Sequence, residues 1–533
     1  MAQFLDIFAF LSVLLRGMTL AFEALTVGGV IFVLAIARQT SNSALARGIT
    51  RFTIVFSALL AVTQVLFVSA NSAILMNSAH LTWAEVRGAN YCTAGALIVV
   101  GASFVGGFAR ARWTKFAWPV GCILILFGTV MTSHSAARLE YRGGLAFLTL
   151  VHHAAGAAWI GGLPYLLWTL RKVPDHETAR SITSRFSRMA TIAVPVLISA
   201  GAAMALLYVG NLGALTGTTY GIMLSSKVTL TVLLILLGAL NLRIVRAVRA
   251  GASADLLPLR RFGEAEVGIG FTVLLAAASL TSAPPAIDVT LGRVTITEIV
   301  ERMKPEWPRM RTPPVQDLSR ATPLEGALIG SVTGSFVPGQ LTQPNTPADI
   351  AWSEYNHHWA GLIVLAAGVL SVLARRFSWA RHWPLLFLGL AAFLFLRADS
   401  ENWPLGPRGF WESFLVAEVA QHRFFVVLIV AFGMFEWAVR TARIPAEPSG
   451  LVFPLVCAVG GALLLTHSHS LGNVKEEFLA ELSHAPLAIL AVVAGCSRWL
   501  EVRLAQDRKR TLQWTWPVCL ISIGALLLNY REG

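Results

Sequence analysis

Long apolar runs separated by short polar stretches fill the chain from one end to the other. Each run is about 20 residues long, enough to cross a hydrocarbon core of roughly 30 Å as a helix. About 14 spans are predicted, at roughly 8–37, 50–75, 90–109, 116–134, 146–170, 190–210, 221–245, 264–284, 353–374, 383–397, 414–438, 451–467, 484–503 and 513–530. Lipid offers no partner to open backbone groups, so continuous apolar runs of this length read as helices. A membrane barrel would need short alternating segments instead, and the pattern has none. The expected fold class is all-α: a polytopic α-helical membrane protein. The first run continues to about residue 37 without a short hydrophobic region and cleavage site, so it is expected to be a retained span.

A polar, Pro-rich stretch interrupts the series. It contains Pro305, Pro308, Pro313, Pro314, Pro338, Pro344 and Pro347. The expected organisation is an eight-span part over residues 1–284, a Pro-rich segment over 285–350, and a six-span part over 351–533. The middle segment reads as a small external cap or an irregular linker.

Charge orients the spans. Every odd-numbered span ends in a basic cluster: Arg38, Arg47 and Arg51; Arg110, Arg112 and Lys115; Arg171, Lys172, Arg180, Arg185 and Arg188; Arg243, Arg246, Arg249, Arg260 and Arg261; Arg375, Arg376 and Arg381; Arg440 and Arg443; Arg498, Arg503, Arg508, Lys509 and Arg510. Basic loops stay on the cytoplasmic side. Both termini and the Pro-rich segment are then expected outside. Composition agrees, with 55% hydrophobic and only 13% charged residues and a mean hydropathy of +0.65. The net charge of +13 resides in these clusters, so it reads as a topology signal and not as a nucleic-acid surface. Cys92, Cys122, Cys457, Cys496 and Cys519 lie in or beside apolar runs without a CxxC pair. They are expected to be small buried hydrophobes.

Histidine placement brings in chemistry. Of 12 histidines, His80, His134, His152, His153, His357, His358, His422, His467, His469 and His484 fall at the outer side, and only His176 and His382 at the inner side. Span four ends in Thr132-Ser133-His134-Ser135, and span five opens on His152-His153-Ala154-Ala155-Gly156. Span nine opens on His357-His358-Trp359-Ala360-Gly361. Span twelve ends in Thr466-His467-Ser468-His469-Ser470, ahead of Ser483-His484. A helix–loop–helix hairpin brings its two ends together, so His134 is expected near His152 or His153, and His467 or His469 near His484. Neutral imidazole suits copper, zinc, iron and nickel. Neighbouring residues on a helix diverge by about 100°, so one of each adjacent pair is expected to face a given site. A structural imidazole is the competing reading, and the better one for His80, His422, His176 and His382. Methionine is sparse and forms no M-x-x-M pattern. Met131, three residues before His134, is the one thioether placed beside a histidine. Arg16 and Glu23 share a face of span one, seven residues apart, and either pair with each other or line a polar path.

The stretch His152-His153-Ala-Ala-Gly-Ala-Ala-Trp159-Ile-Gly161-Gly162-Leu163 resembles the core motif of the copper resistance protein D family. So do Arg185-Phe186-Ser187, Gly217-Thr-Thr-Tyr220-Gly221 with Lys227 and Asn241, and Leu259-Arg-Arg261 with Glu266. The resemblance covers roughly residues 115–285 well and the earlier spans loosely. The six-span part is similar to extensions on some bacterial members. The resemblance implies a bacterial inner-membrane protein of copper uptake or tolerance, working with a periplasmic copper-binding partner.

The leading expectation is therefore a copper-binding membrane protein, not an enzyme. Its candidate metal ligands are His134, His152, His153, His357, His358, His467, His469 and His484. No Walker A motif supplies an energy source. Two alternatives stay open. Histidines on facing helices also suit axial ligation of a b-type haem in an electron-transfer protein. A copper-delivery scaffold without transport of its own would use the same residues.

Overall fold

The computed structural model describes residues 2–37, 43–109, 114–173, 175–250, 255–318, 346–400, 402–466, 474–505 and 511–532. His467, His469, Arg38, Arg110, Arg112, Arg508, Lys509, Arg510, Pro338 and Pro344 lie outside these. The architecture is all-α. Among the described residues the sole β-type pairing is one isolated bridge between Asn402 and Arg408. We number the apolar helices α1 (Phe10–Ala35), α2 (Ala44–Ser78), α3 (Asn90–Gly107), α4 (Phe116–Met131), α5 (Arg142–Lys172), α6 (His176–Val209), α7 (Thr219–Arg249), α8 (Leu257–Ser282), α9 (Pro347–Leu373), α10 (Ser378–Arg397), α11 (Val419–Arg440), α12 (Ala446–Leu464), α13 (Phe478–Arg503) and α14 (Leu512–Leu528). Twelve are long and apolar enough to cross a membrane, and α4 and α14 are shorter apolar helices. Each coincides with one predicted run.

The side chains are arranged inside out relative to a water-soluble bundle. On α2, Val62 and Leu66 are 57% and 53% exposed, whereas Gln64 is 2% exposed. Thr53, Ser57 and Thr63 of the same helix are buried too. Polar groups that cannot face lipid turn inward, where other helices satisfy them.

The chain divides into two compact units, one of residues 10–215 and 223–291, the other of residues 1–9, 216–222 and 292–533. In the first, α3 packs along α4 and α2, and α5 along α6. The core joins Ala24, Val27 and Val30 of α1 to Leu60, Ile98, Trp118, Ile125 and Ala157. Gly101 and Gly121 face each other across α3 and α4: a Cβ on either would lie 2.6 or 2.7 Å from the other's carbonyl oxygen. Small residues let membrane helices approach this closely.

In the second unit, α9 packs along α14, and α12 and α14 along α13. A short helix, Ile296–Met303, precedes α9 and is closed at its start by a capping box between Thr295 and Glu298. This helix and the chain after it are fastened to α9 and to the end of α14. Arg302 donates to the Arg531 carbonyl, the Glu306 amide to Asn529 Oδ1 at 3.3 Å, and Arg309 pairs with Glu354 at 3.1 Å. These residues of the Pro-rich segment are thus ordered by hydrogen bonds to helix ends.

At the opposite end of this unit a buried ion pair lies among aromatic rings. Arg440 Nε donates to Glu436 Oε1 at 2.5 Å, and Glu436 is 2% exposed. The guanidinium sits 5.4, 5.7 and 5.1 Å from the ring centroids of Trp383, Phe453 and Trp516. Those rings are themselves the core of the unit. Pairing and cation–π attraction together offset the cost of removing both charges from water. Arg440→Leu leaves a buried carboxylate without its partner and should cost about 3–5 kcal/mol. The double variant Glu436→Leu/Arg440→Leu should cost much less. Equilibrium unfolding in detergent, followed by tryptophan fluorescence, checks this; equal losses in the two variants would contradict it.

Candidate metal centre

Helix α5 is not regular. A π-helical turn occupies Ala157–Gly161, four residues after His153. Such turns hold one extra residue and re-aim the side chains beside them. Here the widened turn meets α1 backbone to backbone. A Cβ on Gly28 would lie 2.5 Å from the Gly161 carbonyl carbon and overlap the Ala157 oxygen, and one on Gly161 would overlap the Ala24 carbonyl. Tyr165, one turn on, donates its hydroxyl to the Leu25 carbonyl at 2.9 Å. Only glycine permits this approach.

The close crossing brings Glu23 of α1 to His153 of α5. Glu23 is 2% exposed. Its Oε1 accepts from His153 Nδ1 at 3.0 Å, and its Oε2 accepts from Thr129 of α4 at 2.9 Å. Arg16 does not pair with Glu23 directly. Its guanidinium donates to the Thr132 carbonyl at 2.8 Å and to Thr281 at 3.2 Å. The direct pairing considered for these two residues is therefore replaced by two separate sets of partners.

His152 points elsewhere, as the 100° step between neighbours requires. Its Nδ1 donates to the Leu197 carbonyl of α6 at 3.0 Å. Gly201 leaves room for the ring; a Cβ there would lie 3.1 Å from His152 Cε1. The two imidazoles stand 6.3 Å apart, centroid to centroid. Thr149, one turn before His153, donates to the Met204 sulfur at 3.4 Å. Met204 thus faces the same helix, α5.

These bonds fix tautomers. A carbonyl oxygen can only accept, so His152 carries its proton on Nδ1. The carboxylate of Glu23 holds the His153 proton on Nδ1 in the same way. Each ring then presents Nε2 as a lone pair, the arrangement in which a carboxylate or carbonyl behind a histidine orients it for a metal.

The other candidates separate on the same criterion. His357 donates Nδ1 to the Ser353 carbonyl at 2.9 Å and stacks on Tyr530, with centroids 3.8 Å apart. His484 joins this group, 6.4 Å from His357 and 6.2 Å from Tyr530. Burial pushes the Tyr530 hydroxyl above its ordinary range and the Glu532 carboxyl beside it upward as well. His358 uses both nitrogens: Nδ1 accepts from the Arg309 amide at 2.7 Å, and Nε2 donates to the Tyr530 carbonyl at 2.9 Å. It fastens chain segments and offers no lone pair in this arrangement. His134 opens a short helix of its own, His134–Ala137. Its Nε2 faces the Leu280 carbonyl of α8 at 3.4 Å, and burial holds its imidazole below the ordinary range. Among the described residues no three His, Cys, Asp or Glu side chains stand close enough to hold a metal together.

Glu23, Thr129 and Met204 were not expected at the site. A lone carboxylate in an apolar run signals a buried partner, but not which one.

Gly161→Ala should destabilise the protein by about 1–3 kcal/mol through overpacking. Gly143→Ala, where nothing lies within 4 Å of the added methyl, should be neutral or slightly stabilising. Thermal unfolding of the two variants side by side checks this.

Residues 180–280 match the family model described as copper resistance protein D. The Arg185-Phe186-Ser187, Tyr220-Gly221, Asn241 and Glu266 motifs lie inside that match, and His152 and His153 precede it. Two of the motif residues meet in the structure: Asn241 of α7 donates to Glu266 of α8 at 2.5 Å. The chain is also similar to the copper transport protein CutJ of Bacillus subtilis (strain 168), with 28% identity over 195 residues, 35% of each chain. The chain thus spans about a third of that relative's length. No solved structure matches. By the matched segment and the motifs within it, the chain resembles copper resistance protein D over residues 180–280.

Proposed function

We propose that this chain captures copper at histidines in the outer halves of its helices and passes it into or across the bacterial inner membrane. Those halves lie opposite the basic clusters, which by the positive-inside rule favours the periplasmic side for them. The observation that carries the reading is the orientation of His152 and His153. Both donate Nδ1 to fixed acceptors, at 3.0 Å in each case, and both keep Nε2 for a ligand. Holding a lone pair ready costs nothing at the moment of binding, because the tautomer and ring angle are already set. Glu23 stands behind His153 and fixes the angle of its ring, as a carboxylate behind a metal-binding histidine does. The family match and the printed name of the Bacillus relative make copper the cargo of first choice.

Within this reading His152 and His153 are the principal ligands of the first unit. His357 has the same arrangement in the second. His134 and His484 are secondary, His358 is structural, and His467 and His469 stand as candidates from the sequence. The function is transport or homeostasis of the ion, with no reaction assigned. A periplasmic copper-binding protein is the natural donor, since free copper is scarce and an outward-facing site receives its ion from that side.

Metal analysis and an optical spectrum of the detergent-purified chain test this. The native chain should carry copper and show no Soret band. His152→Ala/His153→Ala should lose most of that copper, and Glu23→Gln should weaken copper binding about 10- to 100-fold, as loss of a carboxylate behind a histidine ligand does. Unchanged stoichiometry in the double variant would overturn the reading. A Soret band with little copper would assign the histidines to haem.

A further inference from the structure

Helices α6 and α7 are tied together at the ends that carry their basic clusters. Arg249, in the last turn of α7, donates Nε to Ser184 Oγ of α6 at 3.0 Å and Nη2 to the Ser184 carbonyl. Arg180 of α6 donates back to the Arg249 carbonyl at 2.5 Å. An open pocket of about 520 Å³ lies here, lined by Glu177, Arg180, Ser181, Ser184, Arg188 and Arg249. Three guanidinium groups thus share one pocket with a single carboxylate. Among the described residues no carboxylate, Glu177 included, forms an ion pair with Arg180, Arg188 or Arg249. Other arginines of the same unit are neutralised from within: Arg171 and Arg261 both reach Glu264 at 2.7 Å. The excess of positive charge in the pocket is therefore left for an anion from outside the chain. The bonds to Ser184 and to the Arg249 carbonyl use only some of the five N–H donors that each guanidinium carries. The exposed Arg188 side chain spends none on the described residues. Planar forks of this kind suit phosphate oxygens, which accept two parallel bonds at once.

What adjoins the pocket selects the carrier of the phosphate. Arg180, Ser184, Arg188, Ile192 and Val196 stand four residues apart, so they form one row along α6. The row is polar at the pocket and apolar from Ile192 onward. Ile192 and Val196 are exposed on a helix long and apolar enough to cross a membrane, so this part of the row faces hydrocarbon. Leu236 and Leu240 of α7 are exposed in the same way. A soluble phosphate would use the arginines and leave the apolar end of the row untouched. A phospholipid uses both, with its phosphate in the pocket and an acyl chain along Ile192 and Val196. Three guanidinium groups against one carboxylate repel the ammonium of a zwitterionic headgroup and favour a headgroup with net negative charge. We propose that this pocket binds the headgroup phosphate of an anionic phospholipid through Arg180, Arg188 and Arg249. Basic pockets between membrane helices on the cytoplasmic side suit such headgroups. The site needs neither copper as cargo nor the histidines, so it stands apart from the function proposed above.

Native mass spectrometry of the full chain in detergent tests this, with dioleoyl phosphatidylglycerol and dioleoyl phosphatidylcholine titrated separately. The two lipids share their acyl chains and differ in headgroup charge. Phosphatidylglycerol should bind about tenfold more tightly or better, and Arg188→Gln should remove about tenfold of its affinity while leaving phosphatidylcholine unchanged. The Arg188 side chain has no bond within the described chain to lose, so the fold should survive; an unchanged thermal midpoint verifies that. Arg243→Gln removes the same charge from an exposed position of α7 outside the lining and should leave the affinity unchanged. Equal losses in Arg188→Gln and Arg243→Gln would overturn the proposal, because they would reduce the effect to diffuse attraction between a basic surface and an anionic lipid. Equal affinity for the two lipids would overturn it as well. So would displacement of phosphatidylglycerol by an equimolar amount of inorganic phosphate, which would make the pocket a site for the free ion.

Discussion

A carboxylate buried in a bundle of apolar helices has to be satisfied from within the bundle, and Glu23 is that constraint in the first unit. Lipid offers it no water, and an unpaired charge in a membrane interior costs several kcal/mol at least. Its two oxygens reach His153 on α5 and Thr129 on α4. Three helices are thereby fixed to one another at a single depth. The geometry is possible only because α1 and α5 touch at Gly28 and Gly161, and the π-turn at Ala157–Gly161 sets where His153 emerges. Packing, helix irregularity and imidazole orientation are thus one arrangement. Enlarging a glycine acts on the histidine from two turns away.

The second unit answers the same problem differently. Arg440 and Glu436 pair with each other, and aromatic faces surround the guanidinium. The pair holds the core together at the end where the basic loops are. At the histidine-bearing end of the unit His358 does the fastening, with one nitrogen on the Arg309 amide and the other on the Tyr530 carbonyl.

Much of the fold was legible because a bilayer imposes a length. Fourteen apolar runs became fourteen apolar helices, and the motifs around Arg185, Asn241 and Glu266 fell within the matched family segment. The site was legible only as a list of residues. Nothing local in Ala157-Ala-Trp-Ile-Gly161 marks a π-turn apart from the small residues. The partner of Glu23 lies 130 residues away, while Arg16, its near neighbour on the same face, goes to α8 and the end of α4. His134 and His152, expected together at a hairpin, turn to α8 and α6 respectively.

The adjacent pair His357-His358 shows why residue type could not decide between ligand and strut. Both stand in the first half of one helix, Pro347–Leu373, and a step of about 100° separates them. His358 turns toward the chain end and meets the Tyr530 carbonyl and the Arg309 amide, both backbone groups. No side-chain pattern records where a backbone amide from the Pro-rich segment will lie. His357 turns the other way, finds one acceptor in its own helix at Ser353, and stacks its ring on Tyr530. The difference between them is the number of fixed partners, which only the folded chain supplies. By that measure a histidine with one committed nitrogen is poised for a ligand, and one with two is part of the frame.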